Sequence, residues 1–298
     1  MKYFVLSDIH SFYDEMISAL NEAGYDRDNK DHTIIILGDI FDRGPKSLET
    51  YNYLINLPKD RRIFVKGNHE ELFLELLNKP YPDDYDFSNG TVKTFCDLVG
   101  GDENQIRFGL FNGDKRIPRF KLWELTKAKL INNHPEIIEF LKSDEWINYY
   151  ELDNYIFVHS FIPLRNQEYN PHWRNDASNE EWYDARWGCP YEQYLLGLFD
   201  KEEINDKTLI CGHWHCSDFH QKLGFIEDFE KENYDIFYSK PLIAIDGCTA
   251  LSHQVNVLVI DEDNKCYQHN KLLKDRDMDY QRVHLVYTYL QGLKGKKL

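Results

Sequence analysis

Three observations predict an α/β fold built on a mainly parallel sheet. Short apolar, β-branched runs alternate with amphipathic segments across residues 1–78, in the order β-α-β-α-β-α. Each of those runs ends in residue types that bind metal ions: Asp8-Ile9-His10, Gly38-Asp39-Ile40-Phe41-Asp42-Arg43 and Gly67-Asn68-His69-Glu70. Strand character then returns beyond residue 150, after a stretch of different composition. A parallel sheet places its site at the carboxyl ends of its strands, which is where these polar clusters fall.

The first strand covers 3–7 and leads to the segment Phe12 to Ala23, where Phe12, Met16, Ala19, Leu20 and Ala23 keep helical spacing and Gly24 is the stop. The second, Thr33-Ile34-Ile35-Ile36-Leu37, is apolar throughout, as a fully buried strand should be. Pro45 suits the first turn of the helix that follows it to about Asn56. The third strand, 62–66, leads to a helix from Glu70 to Leu77. Residues 79 to about 150 read as a helical insertion or cap over one end of the sheet, with helices near 120–132 and 135–142. Tyr155 to Val158 is a strand ending in His159. Residues 165–190, with Trp173, Trp182 and Trp187, read as an ordered surface loop. Thr208 to Cys211 is a short strand ending in Gly212-His213-Trp214-His215, and Pro241 to Asp246 and Gln254 to Ile260 read as strands of a second sheet. The tail from Lys271 to Leu298 carries seven Lys/Arg against three Asp and reads as a basic, solvated helix with a frayed end.

Composition excludes several classes. The 298 residues are 42% hydrophobic and 15% aromatic, enough for a large core, and the formal charge is −16. That charge opposes a sequence-independent grip on nucleic acid, which needs a basic surface to displace counterions. No run has the length of a membrane span. The apolar start, Tyr3 to Leu6, is too short for a signal-peptide core, so a cytoplasmic location and no membrane partner are expected. The six cysteines form no paired framework and read as reduced thiols. Cys211 and Cys216 bracket His213 and His215, but four ligands within six residues are closer than usual zinc spacings.

The polar strand ends carry the chemistry. Residues two apart in a strand project to one side, so Asp8 and His10 are expected to grip one ion together. Asp39, at the turn after the neighbouring strand, is placed to bridge two ions. Asn68, His159 and His213 complete a second set. Mixed oxygen and nitrogen ligands suit manganese, iron or zinc better than magnesium or calcium. Two such ions about 3.5–4 Å apart clamp a phosphoryl group for in-line displacement. Any one piece alone is weak, since Asp-x-His arises by chance and Asn-His after glycine also suits a helix cap. Five pieces in order, each after a strand, make a strong joint signal.

Together these motifs resemble the calcineurin-like metallophosphoesterases. Asp42-Arg43 and the Glu70 after Asn68-His69 are similar to the phosphoprotein phosphatase branch, which includes bacterial and phage-type Ser/Thr phosphatases and symmetrical bis(5'-nucleosyl)-tetraphosphatases. Asn89-Gly90-Thr91 and Ile245-Asp246-Gly247-Cys248 are further echoes. The resemblance covers residues 1–260. It implies a β-sandwich of two mixed sheets flanked by helices, with the helical insertion after the third strand, in a single domain over 1–298. It implies two divalent metal ions, manganese foremost with iron or zinc as alternatives. One ion falls to Asp8, His10 and Asp39, the other to Asp39, Asn68, His159 and His213. His69 becomes the general acid, Asp42 its support, and Arg43 and Asn68 the phosphate contacts, with Arg186 a second clamp. His215, two after His213, is expected to reach the first ion. Phe161, where the family has glycine, is expected to reshape the floor near the second. The implied partner is a phosphorylated substrate, and the leading function a phosphatase for phosphoproteins or small phosphomonoesters. Alternatives are a dinucleoside polyphosphate hydrolase, a nuclease-type phosphodiesterase, which the charge opposes, and a non-catalytic scaffold, which should have lost ligands.

Overall fold

In the computed structural model, which describes residues 1–112, 115–200, 204, 206–223 and 232–274, two mixed sheets face each other across a shared apolar layer. Strands β1 (Lys2–Leu6), β2 (His32–Ile36) and β3 (Arg62–Val65) run parallel and are joined through helices α1 (Tyr13–Glu22) and α2 (Ser47–Ile55). Beyond β3 come α3 (Asn68–Asn78), α4 (Asp84–Ser88), α5 (Thr91–Val99), α6 (Glu103–Phe108), a hairpin of β4 (Leu110–Asn112) and β5 (Lys115–Ile117), α7 (Arg119–Asn133) and α8 (Pro135–Lys142). This is the expected helical insertion, and its exit, β6 (Trp146–Ile147), pairs parallel with β3 as an edge strand rather than capping the sheet.

The second sheet starts with the antiparallel pair β7 (Tyr150–Leu152) and β8 (Tyr155–Phe157). The segment expected as a surface loop holds a small hairpin, β9 (Leu164–Arg165) and β10 (Glu168–Tyr169), then α9 (Trp173–Asp176), α10 (Asn179–Trp187) and α11 (Pro190–Leu195). Its indoles explain the difference: Trp173 and Trp182 are buried, and helices supply the face that covers the outside of the second sheet. Strand β11 (Thr208–His215) lies parallel to both β8 and β13 (Leu242–Asp246), with β12 (Phe237–Tyr238) at the edge. Then β14 (Leu258–Ile260) pairs antiparallel with β1, so this strand belongs to the first sheet and not the second, followed by β15 (Cys266–Gln268) and β16 (Lys271–Leu272). The basic tail lies, beyond residue 274, outside the described residues. Among the described residues no helix is long and apolar enough to cross a membrane.

Strand alternation builds the layers. Phe4, Leu6, Ile34, Ile36 and Phe64 face outward onto α1, α2 and the insertion helices, while Val5, Ile35, Leu37 and Val65 face inward. The inward set meets Phe157, Ile210, Ile243 and Ile245 of the second sheet. Ile156, Leu209 and Ala244 point the opposite way, onto α10 and α11. Because residues of β1, β2 and β8 are buried on both faces, they read as unbroken apolar runs.

The loops after β2 and β3 touch backbone to backbone. A Cβ on Gly38, whose φ is +84°, would come within 2.4 Å of Gly67 Cα and N. Gly38→Ala therefore combines left-handed strain of about 1–2 kcal/mol with overpacking of about 1–3 kcal/mol, and should lower stability by about 2–5 kcal/mol. Urea denaturation measures this, and a loss below about 1 kcal/mol would mean the two loops separate freely.

Candidate metal centre

Loops leaving the carboxyl ends of β1, β2, β3 and β8 converge with the distal half of β11. Tight turns aim their side chains: Asp8 (φ 51°), His10 (48°), Asp39 (56°), Asp42 (78°), Arg43 (62°) and His213 (64°) all hold left-handed backbone. Pleat alternation is thus not what aligns Asp8 with His10. Strand β1 ends at Leu6, and the turn beyond it brings Asp8 Oδ1 to 3.9 Å from His10 Nε2. The same holds for β11, whose register shifts between Cys211 and His215 so that His213 and His215 do not share an extended face.

Hydrogen bonds fix which nitrogens hold lone pairs. His10 Nδ1 donates to the Phe41 carbonyl at 2.8 Å, and His159 Nδ1 donates to the Leu37 carbonyl at 2.6 Å. Both Nε2 atoms therefore carry lone pairs into the centre. His10 Nε2 lies 3.8 Å from Asp39 Oδ2. His159 Nε2 lies 3.5 Å from Asp39 Oδ1, 2.8 Å from Asn68 Oδ1 and 3.3 Å from His213 Nδ1. Two groups result, His10 with Asp39 and His69, and Asp39 with His159 and His213, each with ligand atoms within 4.8 Å of one another. Asp39 is common to both. Asn68 turns its oxygen, not its amide N–H, to His159, and its Nδ2 is buried without a partner. Lone pairs facing one another across such distances are what divalent cations bind, so the donors fit the metals that the motifs imply.

Burial shapes the charges. It pushes Asp39 well above the usual carboxylate range, with His69 opposing and Asp8 adding to the rise. Burial holds His10 well below the usual histidine range, helped by the Arg43 charge, and burial with His159 does the same to His213. Both are therefore neutral, as ligands must be. His69 differs. Burial works to lower it, but the Asp39 charge and the Asp42 hydrogen bond prevail and raise it.

Around this centre stands a supporting set of which sequence reasoning assigned Asp42, but gave no role to Thr91, Thr94, Glu70 or Asp246. Asp42 Oδ2 accepts from His69 Nδ1 at 2.6 Å and from Thr91 Oγ1 at 2.8 Å, and Oδ1 accepts from Thr94 Oγ1 at 2.7 Å. Glu70 accepts backbone N–H groups from Asp39, Ile40 and Gly67 at 3.0, 3.0 and 2.8 Å, locking two motif loops together. Asp246, fully buried, stands 4.0 Å from His215 Nε2. The Asn-Gly-Thr turn and the Ile-Asp-Gly-Cys stretch were the available signals for Thr91 and Asp246; no spacing rule singles out Thr94.

Arg43 comes to the centre, with Nη1 2.7 Å from His10 Nε2 and Nη2 3.3 Å from His69 Nε2. Arg186 does not. Its guanidinium is held bidentately by Glu71, with Nη1 3.3 Å from Asn148 Oδ1. His215 stands outside both ligand groups, its side chain 41% exposed between Asp218 and Asp246. Phe161 packs into the core outside the second sheet, against Phe199, and does not floor the site, because its N–H is tied to Ala185 O on α10. Cys211 and Cys216 are buried thiols that burial pushes well above their usual range, and neither joins a ligand group among the described residues.

The family model for calcineurin-like phosphoesterases matches residues 1–217. The chain belongs to this family. It is similar to the bis(5'-nucleosyl)-tetraphosphatase PrpE (asymmetrical) of Bacillus velezensis, 36% identical over 88 residues, covering 27% of this chain and 35% of that enzyme. It is also similar to the symmetrical bis(5'-nucleosyl)-tetraphosphatase of Buchnera aphidicola subsp. Acyrthosiphon pisum, 43% identical over 70 residues, 24% of each chain. The chain thus spans about a third or less of the length of these curated relatives. Among solved structures, a protein serine/threonine phosphatase from Saccharomyces cerevisiae matches with a TM-score of 0.49 and 12% identity over 93% of this chain and 82% of its own.

Asp39 faces both ligand groups of this phosphoesterase fold, so Asp39→Asn should abolish tight binding of two manganese ions in isothermal titration. Two ions bound at wild-type affinity would show that Asp39 bridges nothing.

Proposed function

We propose that the protein is a metal-dependent phosphoric ester hydrolase with a dinuclear centre. The observation that carries this reading is one carboxylate, Asp39, shared by two groups of side chains, with the lone pair of His10 Nε2 on one side and that of His159 Nε2 on the other. Asp8, His10 and Asp39 would hold one ion and Asp39, Asn68, His159 and His213 the other, while His215, outside both groups, would stand beside Asp246. Manganese is the foremost candidate, iron or zinc the alternatives. Divalent ions held there would supply a nucleophile from water at neutral pH and neutralise phosphoryl charge.

The chain's own residues divide the remaining work. Arg43 offers a planar fork of donors that matches two phosphate oxygens, and its guanidinium already lies between the His10 and His69 rings. Asn68 Nδ2, a buried donor without a partner, is available to a phosphoryl oxygen. His69 holds its proton because Asp39 and Asp42 stabilise the imidazolium, and it delivers that proton from Nε2 to the leaving oxygen. Asp42 keeps Nδ1–H in place and is itself fixed by Thr91 and Thr94. Arg186, held by Glu71, supports α10 against α3 in the resting arrangement.

This chemistry serves phosphoprotein or small phosphomonoester substrates. A second reading, hydrolysis of dinucleoside polyphosphates, is favoured by the names of the two relatives. A panel of phosphopeptide, p-nitrophenyl phosphate and diadenosine tetraphosphate with manganese separates them, and no turnover of any would overturn the hydrolase reading. His69→Asn should keep both ions bound but lower turnover of an alkyl phosphate by about 10²–10⁴-fold. The loss should shrink for p-nitrophenyl phosphate, whose leaving group needs no proton; equal losses would reassign His69.

A further inference from the structure

The chain has six tryptophans, and the fold buries four of them: Trp123, Trp146, Trp173 and Trp182. The two left partly exposed, Trp187 and Trp214, are the two that flank His213. Trp187 stands edge-to-face with the His213 ring at 5.5 Å and 89°, and Trp214 at 5.9 Å and 85°. Their surroundings differ. Trp214 is anchored, its Nε1 donating to Gly188 O at 2.7 Å and its ring edge-on to Tyr191. Trp187, the last residue of α10, shares a side-chain hydrogen bond with Tyr183, and its ring lies 6.4 Å from that of Tyr85 of α4, 47% exposed, with the planes tilted by 40°.

Burying an indole is among the largest apolar gains available to a side chain. Leaving one partly in water beside His213, with the exposed phenol of Tyr85 tilted 40° to it, provides two ring faces in succession that start beside the candidate metal centre and lead to the Tyr85 side. Flat rings with π faces are what such a surface holds, and stacking of a base on an aromatic side chain is tolerant of base identity. We infer that Trp187 and Tyr85 form a stacking shelf for the nucleobase of a nucleotide whose phosphate lies at the metal centre. The inference rests on the phosphoesterase reading and deepens it, naming a nucleoside polyphosphate as the substrate class. An isolated phosphoserine side chain has no ring to place there. A phosphotyrosine ring is the competing occupant, and it is joined directly to its phosphate. The pair of faces reaches beyond His213 to Tyr85, a second ring away, which suits a base separated from its phosphate by a ribose.

The test uses the full chain with manganese, comparing diadenosine tetraphosphate, a phosphotyrosine peptide and tripolyphosphate, which has no ring. Trp187→Ala should lower kcat/KM for diadenosine tetraphosphate by about 5- to 150-fold, mainly through KM. Tyr85→Ala should act in the same direction, and Trp187→Phe should restore much of the loss. In each variant the loss should exceed that for tripolyphosphate at least fivefold. Equal losses for both substrates would mean that Trp187 only supports His213, and would overturn the shelf. A loss confined to the phosphotyrosine peptide would overturn the nucleobase assignment. If wild type hydrolyses none of the three, the hydrolase reading fails separately, and calorimetric binding of diadenosine tetraphosphate to wild type and Trp187→Ala still decides the shelf. Equal affinities would overturn it.

Discussion

A carboxylate buried among imidazoles is the constraint from which the rest of this structure follows. Asp39 is almost without solvent exposure, and burial raises it far above the usual range for its kind. An unpaired charge in such a place is costly. The protein offers it the backbone N–H of His69 at the start of α3 and the charge on the His69 ring, while His10 and His213 are neutral. Arg43 brings a further positive charge to the centre, its Nη1 2.7 Å from His10 Nε2, and bound cations would supply the rest. Ligands that disfavour their own unaided ionisation are a signature of a site built for cations, and the same feature makes the centre intolerant of losing them.

Holding that arrangement strains the backbone. Six of the residues that face the centre or support it sit in left-handed turns, and non-glycine residues adopt that region at a cost of order 1 kcal/mol or more each. Glycine permits the closest approaches. A Cβ at Gly212 would lie 2.2 Å from Asp8 Oδ2, and one at Gly67 would lie 2.2 Å from Asp39 Oδ1. Glu70 then ties the Asp39 and Gly67 loops through three backbone amides. The strain is sustained because each loop leaves a strand whose two faces are both buried, in the layer between the sheets and in the layer under the helices.

Much of this cluster was legible in the sequence because its polar residues come at strand ends and in order. Strands β1, β2, β3 and β8 announced themselves as apolar runs, and the fold brings the polar residues after each run together. The reason given for pairing Asp8 with His10 was less sound: the pleat does not align them, the turn does. Long-range pairing was not legible. Residues 254–260 carry strand character, but nothing local shows that β14 adds to β1, some 250 residues away in sequence. The stretch 165–190 misled because its charged and aromatic residues mask short helices that bury few side chains, Trp173 in α9 and Trp182, Ala185 and Arg186 in α10, rather than long periodic stripes. Arg186 looked like a phosphate ligand by type, and only the packing of α10 on α3 reveals Glu71 as its partner.

Exposure then distinguishes chemistry from specificity. The ligands and their supports are buried and come from loops fixed by the two sheets, so the centre can act on a phosphoryl group regardless of what the group is attached to. The surface that meets the rest of a substrate is made differently. Its parts, α4 in the insertion and α10 in the former loop region, are the segments whose structure was hardest to read from sequence. Both are short helices set over opposite sheets, and they meet at Tyr85 and Trp187 beside His213. Changes in either helix can therefore alter what is recognised without moving a ligand, because no metal-facing side chain is carried by α4 or α10. On the proposed reading, the sheets fix where a phosphoryl group would sit, and the helices placed upon them face what is joined to it.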